Sequence, residues 1–576
     1  MSEVNGKNTG LSSSANNKIL TFAGFGLLLL AVCSVMTYLW GDLLISEFQA
    51  DICDTLLWAE NAYKSGRLLS PAYYYPYVIP FGGQLLMLPF IPVFGASLTT
   101  IRLGMTLFFA LYTAVLVTFF YVVVFRSAAP SFLSAGCIIL LLESNKKLRE
   151  VMYAHVIHYS LAVIFVLLML TFLTLFLSAE KDGSTGRKRK RLYLAFLAAT
   201  VFFCSADGLV TVALALVPFA GGYILERLIY AVFEKNADKG RTDKRELAPV
   251  LAAAFPAAAG YTVYYILKSG MHANYSKKYY TLVAPTKWFS NFKNFVRYWV
   301  KYFMRPALYG DALPLTFKLS ASGKVFNAVQ IIFMCVIIIL LVVLTFVCWE
   351  RLDRIGKITV MSAWTESAVT ALLFTVTPIS DTNWRMIPMF ILILVALAVL
   401  IKAALNGKPL VRTSVLAVSA LTVLIAANAG AGVLCAKTNT DVWYGEGTFL
   451  TVLKEHDLHY GFSTYGTFCQ LASVLSDGDV QMYQIGYDDY EGVYWPLLYQ
   501  NKLCDFTPPE GCERFFILQP AGRKTGGASE VISLQTFIPS YVSEDDRALD
   551  IEILIFDHYP LEDAARDRYS KYVKNR

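Results

Sequence analysis

The sequence predicts an all-α polytopic membrane protein with a small α/β domain at its carboxyl end. Of its 576 residues, 56% are hydrophobic and only 16% are charged, and the mean hydropathy is +0.50. A soluble globular chain carries more charge and less apolar surface, so composition places this protein in a membrane. Apolar runs near the ~20 residues that cross a bilayer recur along most of the chain and support the same class.

Apolar stretches of near-spanning length predict about eleven transmembrane helices. A further apolar stretch, 78–95, is interrupted by three prolines, which remove backbone donors inside a helix. We expect that stretch to be partly inserted or interfacial, with a twelfth span as the alternative. The eleven predicted spans are 19–40, 101–125, 129–142, 155–178, 191–206, 208–226, 248–267, 326–349, 359–378, 386–404 and 412–435.

Short loops rich in Lys and Arg predict the orientation, because such loops stay in the cytoplasm. They lie at 179–192, 234–246, 350–357 and 402–412. With an odd number of spans, the amino terminus is inside and the carboxyl-terminal domain is outside. The predicted parts are a cytoplasmic tail (1–18), a transmembrane domain (19–435) with external loops at 41–100 and 268–326, and an extracytoplasmic domain (436–576).

The carboxyl-terminal part differs from the rest in composition. It alternates apolar and polar residues, as in DVQMYQIGY, and contains turn pairs such as Asp477-Gly478. These patterns predict a small α/β domain that is large enough for its own core. Cys504 and Cys512 stand close together there, and the sequence leaves a disulfide between them open.

Ionisable residues in or beside the spans are candidate functional residues. A charge at the centre of a bilayer costs ~2.5–3.5 kcal/mol on insertion scales, so such residues are rare without a purpose. For His158 a hydrogen-bonded contact between helices is the favoured alternative, and Glu366 is equally explained as a packing partner. The candidates are Glu143, Lys146, Lys147, Arg149, His155, His158, Asp207, Glu366, Asp381 and Arg385.

One segment in the loop 268–326 predicts an interfacial helix. In PTKWFSNFKNFVRYWVKYFMR, aromatic residues recur at spacings of three and four, and cations recur every four residues. Rings at headgroup depth beside cations suit a helix that lies on anionic lipid or on a lipid phosphate. The alternative is a cover over the bundle without ligand contact. The cations are Lys293, Arg297, Lys301 and Arg305.

The block after the first span resembles the first external loop of the GT-C fold glycosyltransferases, membrane enzymes that use polyprenyl-phosphate sugars. That loop contains an acidic residue, a surface helix ending in Gly, a strip with Pro and Tyr, an apolar stretch ending in Phe-Gly, and an Arg in the next span. The family includes bacterial enzymes distantly similar to protein O-mannosyltransferases and aminoarabinose transferases. The matching positions are Asp51 or Asp54, Gly66, 73–76, 94–95 and Arg102.

The resemblance implies a GT-C-like fold and the transfer of a sugar from a polyprenyl-phosphate donor to an extracytoplasmic hydroxyl acceptor in a cell-wall or surface glycan, lipid or protein. An aspartate acts as general base in an inverting displacement. Asp51 is preferred over Asp54 by its distance from Gly66. The expected location is the bacterial plasma membrane, with lipid but no nucleic acid as a partner. The implied ligands of the donor phosphate and lipid are Arg149, His155, Arg385, Lys147 and Arg297, with Glu143, His158, Asp207, Asp381 and Arg102 as secondary candidates.

The sequence departs from the family pattern and leaves other functions open. It has no basic residue between Tyr77 and Leu98, where some relatives place a phosphate-binding Lys, and no Asp-Glu pair at the base. No motif demands a metal, and a divalent metal stays open. A lipid-linked sugar transporter or flippase is one alternative and predicts internal repeats, which we do not find. A non-catalytic membrane scaffold for wall polymers is the other.

Overall fold

The protein is described by a computed structural model over ten stretches of the chain. They are 9–179, 183–234, 247–273, 281–303, 320–379, 383–405, 409–488, 493–523, 527–537 and 548–561. Asp381, Arg305 and most of the basic loop 234–246 lie outside the described residues.

The described residues form twenty-one α-helices and eight strands. The helices are α1 (Thr9–Trp40), α2 (Asp42–Ser46), α3 (Ala50–Ser65), α4 (Gln84–Met87), α5 (Ile91–Phe94), α6 (Leu98–Phe119), α7 (Ala128–Leu142), α8 (Lys146–Tyr153), α9 (His158–Ser178), α10 (Gly183–Ala206), α11 (Leu209–Thr211), α12 (Val217–Ile229), α13 (Leu247–Ser269), α14 (Trp288–Val300), α15 (Ser320–Cys348), α16 (Arg354–Val376), α17 (Ile387–Leu405), α18 (Pro409–Leu434), α19 (Asp441–Tyr444), α20 (Phe449–Glu455) and α21 (Gly466–Leu475). The strands are β1 (Tyr74–Tyr75), β2 (His272–Ala273), β3 (Tyr460–Ser463), β4 (Gln481–Asp488), β5 (Val493–Pro496), β6 (Phe515–Pro520), β7 (Glu530–Phe537) and β8 (Ala548–Phe556).

The predicted class, a polytopic α-helical membrane protein with a small α/β part at the carboxyl end, is confirmed. Within the described residues, nine helices are long and apolar enough to cross a membrane. They are Leu20–Trp40, Leu98–Phe125, His158–Ser178, Leu209–Val232, Ala248–Ser269, Ala328–Arg351, Arg354–Val376, Trp384–Leu405 and Pro409–Leu434.

The predicted count of eleven spans differs from this number for two physical reasons. The apolar helix α7 is short, and a bend of 117° separates it from α8, so the two make at most one broken span, the tenth. Helix α10 starts in the basic sequence GSTGRKRKRL, which leaves only its second half apolar. The stretch 78–95 holds only short helices, the apolar segment Gln84–Phe94 among them, and is not a twelfth span.

Side-chain contacts distinguish the two ends of the bundle. At one end, Arg102 on α6 donates to the carbonyls of Leu39, in the last turn of α1, and of Gly41 just after it, at 3.0 and 3.3 Å. At the other end, Lys402 on α17 donates to the carbonyl of Val124, and the described residues of the basic loops lie there as well, at 183–192, 350–357, 402–405 and 409–412. We call the end where α1 finishes and α9 and α17 begin the site end.

The interfacial segment forms α14 and packs on the bundle. Phe295 and Trp299 are buried, while Lys293 and Arg297 are exposed. The indole of Trp299 donates to the carbonyl of Met334 on α15 at 3.2 Å. The predicted separation into an apolar face and a cationic face is therefore present in the helix.

The carboxyl-terminal part contains a six-stranded mixed sheet in the order β5-β4-β3-β6-β8-β7. Strands β4, β3 and β6 are parallel. Strand β5 pairs antiparallel to β4, β8 pairs antiparallel to β6, and β7 pairs antiparallel to β8. Helix α21 packs against β4 and also against α3. The thiols of Cys504 and Cys512 are free in this structure.

The sheet is joined to the loop 41–100 by backbone hydrogen bonds. The amide of Gln500 donates to the carbonyl of Tyr74 at 2.7 Å, and the amide of Tyr74 donates to the carbonyl of Asn501 at 3.0 Å. Tyr74 also pairs with His272 in the short β1–β2 ladder. Three distant parts of the chain therefore meet over the site end.

Candidate functional site

The site is built on α3, the surface helix that follows the first span. The helix starts after the extended residue Gln49 and ends at Gly66, which caps it in the left-handed conformation at φ 64°. Asp51 and Asp54 are three residues apart and therefore neighbours on the helix surface. The side chain of Asp51 is 48% exposed, whereas Asp54 is buried.

Asp54 is held by a buried hydrogen-bond network. One carboxylate oxygen accepts from the side-chain amide of Gln500, and the other from the hydroxyl of Tyr77 at 3.4 Å. The Nε2 atom of His155 lies 3.7 Å from that second oxygen and 3.2 Å from the Tyr77 hydroxyl. Burial raises the pKa of Asp54, and the hydrogen bond and charge of His155 oppose that rise.

Lys147 connects Asp51 to a second acid. Its ammonium lies 3.3 Å from the carboxylate of Asp51 and 2.6 Å from that of Glu150, one turn further along α8. Helix α8 begins at Asn145, whose side chain caps the amide of Lys147 at 2.9 Å. This cap fixes the first turn and directs Lys147 toward α3.

Two cations share one indole ring at the start of α17. The Lys147 ammonium is 5.7 Å from the centroid of the Trp384 ring, and the Arg385 guanidinium is 4.9 Å from it. Both distances allow a cation–π interaction. Asp51 and Arg385, over 300 residues apart in sequence, are therefore connected through Lys147 and Trp384.

Three ligand-type side chains converge in the same place. One ligand atom each from Asp51, Glu150 and His155 lie within 4.8 Å of one another. Two carboxylates and an imidazole suit a divalent cation. Lys147 already contacts both carboxylates, so a metal ion would compete with its ammonium.

Three of the predicted site residues contact other groups of the protein. Arg149 is buried and forms a two-point ion pair with Glu47, at 2.5 and 3.2 Å. Glu143 is buried and accepts from the hydroxyl of Ser34. Arg102 caps the carbonyls that end the first span, a task that requires no ligand.

His158 and Asp207 line a small cavity of about 40 Å³. The carboxylate of Asp207 accepts from the backbone amide of Phe81 at 2.7 Å, and burial raises the pKa of Asp207 to about 7. The ring of His158 lies edge-on to that of Tyr77, 6.0 Å away. Tyr77 therefore stands between this cavity and Asp54.

The remaining candidates lie apart from this cluster. Glu366 is fully buried inside α16 and accepts from Thr370 at 3.1 Å. Arg297 is exposed on α14, which contacts the short turn that carries Arg385. Sequence reasoning missed Glu150, Trp384 and Gln500; of these only Glu150 had a local signal, its spacing of three residues from Lys147.

Comparisons with known proteins give two matches, both to solved structures. No family model matches the chain, and no curated protein matches it. The crystal structure of ArnT from Cupriavidus metallidurans bound to undecaprenyl phosphate is 13% identical with a TM-score of 0.43, and its apo state is 12% identical with a TM-score of 0.49. Each match covers 92% of this chain and 98% of that chain.

At identities of 12–13% and TM-scores below 0.5, these matches carry no argument about the chemistry of this chain. Donor, acceptor and mechanism therefore depend on the side chains described above.

Proposed function

We propose that this protein is a membrane glycosyltransferase that moves a sugar from a polyprenyl-phosphate donor to a hydroxyl acceptor. The observation that carries the proposal is the half-exposed carboxylate of Asp51 beside the ammonium of Lys147. The Trp384 indole that Lys147 contacts is also contacted by the guanidinium of Arg385. A base for the acceptor and cations for a departing phosphate are the two requirements of this transfer.

The proposed reaction is a single displacement at the anomeric carbon. The carboxylate of Asp51 takes the proton of the acceptor hydroxyl as its oxygen bonds to the anomeric carbon. The bond from that carbon to the phosphate oxygen breaks, and its electron pair leaves with the polyprenyl phosphate. Because the leaving phosphate needs no proton, one carboxylate suffices, unlike the pair that glycoside hydrolases use. The configuration at the anomeric carbon is therefore inverted.

Exposure favours Asp51 over Asp54 as the base. An acceptor hydroxyl has to come within about 3 Å of the base, and only Asp51 has an exposed carboxylate. Asp54 instead holds Tyr77 and His155 in place through its buried hydrogen bonds. We assign Asp54 a positioning role.

Contacts also refine the proposed phosphate site. Lys147 contacts Asp51, and Arg385 lies beside the same indole ring as Lys147. Charge-assisted contacts from such cations stabilise a phosphate. Arg149 already has a buried carboxylate partner, so we assign it to folding. Arg297, on the exposed face of α14, is assigned to lipid headgroups rather than to the reacting phosphate.

We further propose that the site end faces away from the cytoplasm of a bacterial plasma membrane. The basic short loops lie at the opposite end of the bundle, which the positive-inside rule places in the cytoplasm. The carboxyl-terminal sheet is then extracytoplasmic, on the side where cell-wall and surface glycans are built.

The test is Asp51→Asn in protein reconstituted into lipid nanodiscs with short-chain polyprenyl-phosphate monosaccharides. We expect release of polyprenyl phosphate to fall at least a hundredfold while binding of the donor lipid persists. Asp42→Asn, an exposed acid of the same loop, is the matched control and keeps full turnover. A transporter or scaffold needs no base, so unchanged behaviour of the Asp51 variant in every assay would refute the transferase proposal. Lipid extracts of a deletion strain should accumulate the natural donor.

A further inference from the structure

A polar cleft of about 160 Å³ lies between α3 and the carboxyl-terminal sheet. Its walls come from the second half of α3, from α21, from β4 and from the loop 499–505. Gln500 belongs to the cleft and also donates to the buried carboxylate of Asp54. The cleft is therefore one side chain away from the proposed catalytic cluster.

Amide and tyrosine side chains dominate the lining. A primary amide both donates and accepts hydrogen bonds, as a sugar hydroxyl does. Three tyrosines, at 73, 483 and 499, add flat rings with polar tips. The amides are Asn61, Gln470, Gln481, Gln484, Gln500 and Asn501.

The charges in the lining are balanced. Glu60 pairs with Lys64 at 2.7 Å, and Asp505 stands beside Lys502, from whose backbone amide it accepts at 2.7 Å. Two acids and two lysines leave no net attraction for a phosphate or a carboxylate. The lining therefore favours a neutral, hydroxyl-rich ligand.

Three buried polar atoms of the lining have no hydrogen-bond partner in the described structure. They are Oδ1 of Asn61, the hydroxyl of Tyr73 and Oε1 of Gln500, on residues only 3–8% exposed. A buried polar atom without a hydrogen-bond partner costs free energy, so a ligand that supplies the missing hydrogen bonds is bound more favourably. Gln500 also has a left-handed backbone at φ 55°, a strained conformation that clusters at functional sites.

We propose that this cleft binds a neutral saccharide, and that this saccharide is part of the acceptor. The second statement rests on the proposed transferase function, whereas the first does not. Oε1 of Gln500 is itself shielded from solvent, so a small shift of the neighbouring side chains is needed for a sugar hydroxyl to donate to it while Nε2 of the same amide stays on Asp54. Gln500 is thus a positioning residue that links acceptor binding to the cluster around Asp51.

The test measures saccharide binding to the full chain in nanodiscs by saturation-transfer NMR and calorimetry. The probes are glucose, galactose, mannose, arabinose and N-acetylglucosamine, with a disaccharide of each. Ser473→Tyr places a ring in the cleft from α21, and Gln481→Ala removes an exposed amide from it. The matched control is Gln535→Ala, an exposed glutamine on β7 of the same sheet.

We expect one class of saccharide to bind, with at least a tenfold loss in Ser473→Tyr, a smaller loss in Gln481→Ala and none in Gln535→Ala. Asp51→Asn should bind as the wild type does, which separates the cleft from catalysis. Absence of binding by every probe, or equal binding in Ser473→Tyr, would overturn the cleft proposal and leave the transferase proposal standing. Binding that follows this pattern in a protein whose turnover survives Asp51→Asn would support the cleft and remove the proposed base.

Discussion

The ammonium of Lys147 lies 3.3 Å from the carboxylate of Asp51, a residue 96 positions earlier in the chain. The pair joins the surface helix after the first span to the short helix after the third predicted span. The half-exposed carboxylate of Asp51 contacts the ammonium of Lys147, and the same ammonium contacts the carboxylate of Glu150. The proposed base and the proposed phosphate contact are thus direct neighbours.

Replacing Lys147 by Met tests its proposed contact with the leaving phosphate. Removal of one preorganised donor of this kind lowers kcat by about 10²–10³-fold, and we expect a loss of that size. Single-turnover release of polyprenyl phosphate is the measurement. Lys293→Met, an exposed lysine of α14, should change turnover less than twofold. Equal losses in the two variants would show that general positive charge, rather than this contact, matters.

The pH dependence of stability tests the buried state of Asp54. Burial raises its folded pKa, so the contribution of Asp54 to stability is complete below the unfolded pKa of about 3.9 and is lost as pH rises through the folded pKa. The Asp54→Asn variant lacks this pH-dependent contribution to stability, so its Tm should decline less steeply from pH 4 upward than that of the wild type. Thermal unfolding in detergent across pH 4–7 measures it. Asp42→Asn should keep the wild-type slope; a steeper slope in Asp54→Asn would contradict the assignment.

The buried pair of Arg149 and Glu47 should matter for folding and not for binding of the donor. Removing one partner of a buried ion pair costs about 3–5 kcal/mol, because the other charge stays buried and unpaired. We expect Arg149→Met to lower Tm strongly. The exposed pair of Lys64 and Glu60 gives the comparison, since Lys64→Met should cost no more than about 0.5 kcal/mol. A stable Arg149→Met protein with lost donor binding would return Arg149 to the phosphate site.

Competition between Lys147 and a divalent ion tests the three-ligand cluster. In Lys147→Met the carboxylates of Asp51 and Glu150 lose their ammonium partner, so Mn²⁺ should bind at least tenfold more tightly than in the wild type. Electron paramagnetic resonance of bound Mn²⁺ measures this affinity. His155→Ala in the same background should reverse the gain, and a gain that survives His155→Ala would place the ion elsewhere.

Cysteine labelling tests the proposed orientation. The exposed thiol of Cys504 should react with an impermeant maleimide in intact cells, in a background with Cys435 and Cys512 changed to Ser. A cysteine introduced at Ser184, in the basic loop at the opposite end, should react only after lysis. The reverse pattern would put Asp51 on the cytoplasmic side.

Local signals explain what the sequence predicts well. Asp in the first turn and Gly66 after the last turn predict α3, because helix ends are decided by neighbouring residues. All eleven predicted spans are helical in the described residues, since apolar runs of this length have few alternatives in a membrane. The basic start of α10 is the main place where hydropathy and helix length disagree.

Long-range contacts explain what the sequence does not predict. Gln500 meets Asp54 across 446 residues, and nothing in its own neighbourhood marks that contact. The pairing of Arg149 with Glu47 joins residues about 100 positions apart, so a buried ion pair looks the same in sequence as a phosphate ligand. Which charges are already neutralised depends on the packing of the whole chain.

The bond from Gln500 to Asp54 has a consequence for biogenesis. Gln500 is made after every predicted span, so a nascent chain whose helices are already inserted still lacks the amide that donates to this carboxylate. The hydrogen bonds between the tail and Tyr74 form only once the tail has folded against the loop 41–100. The hydrogen bonds around Asp54 are therefore complete only when both ends of the chain are in place, and a chain that ends before Gln500 lacks this contact.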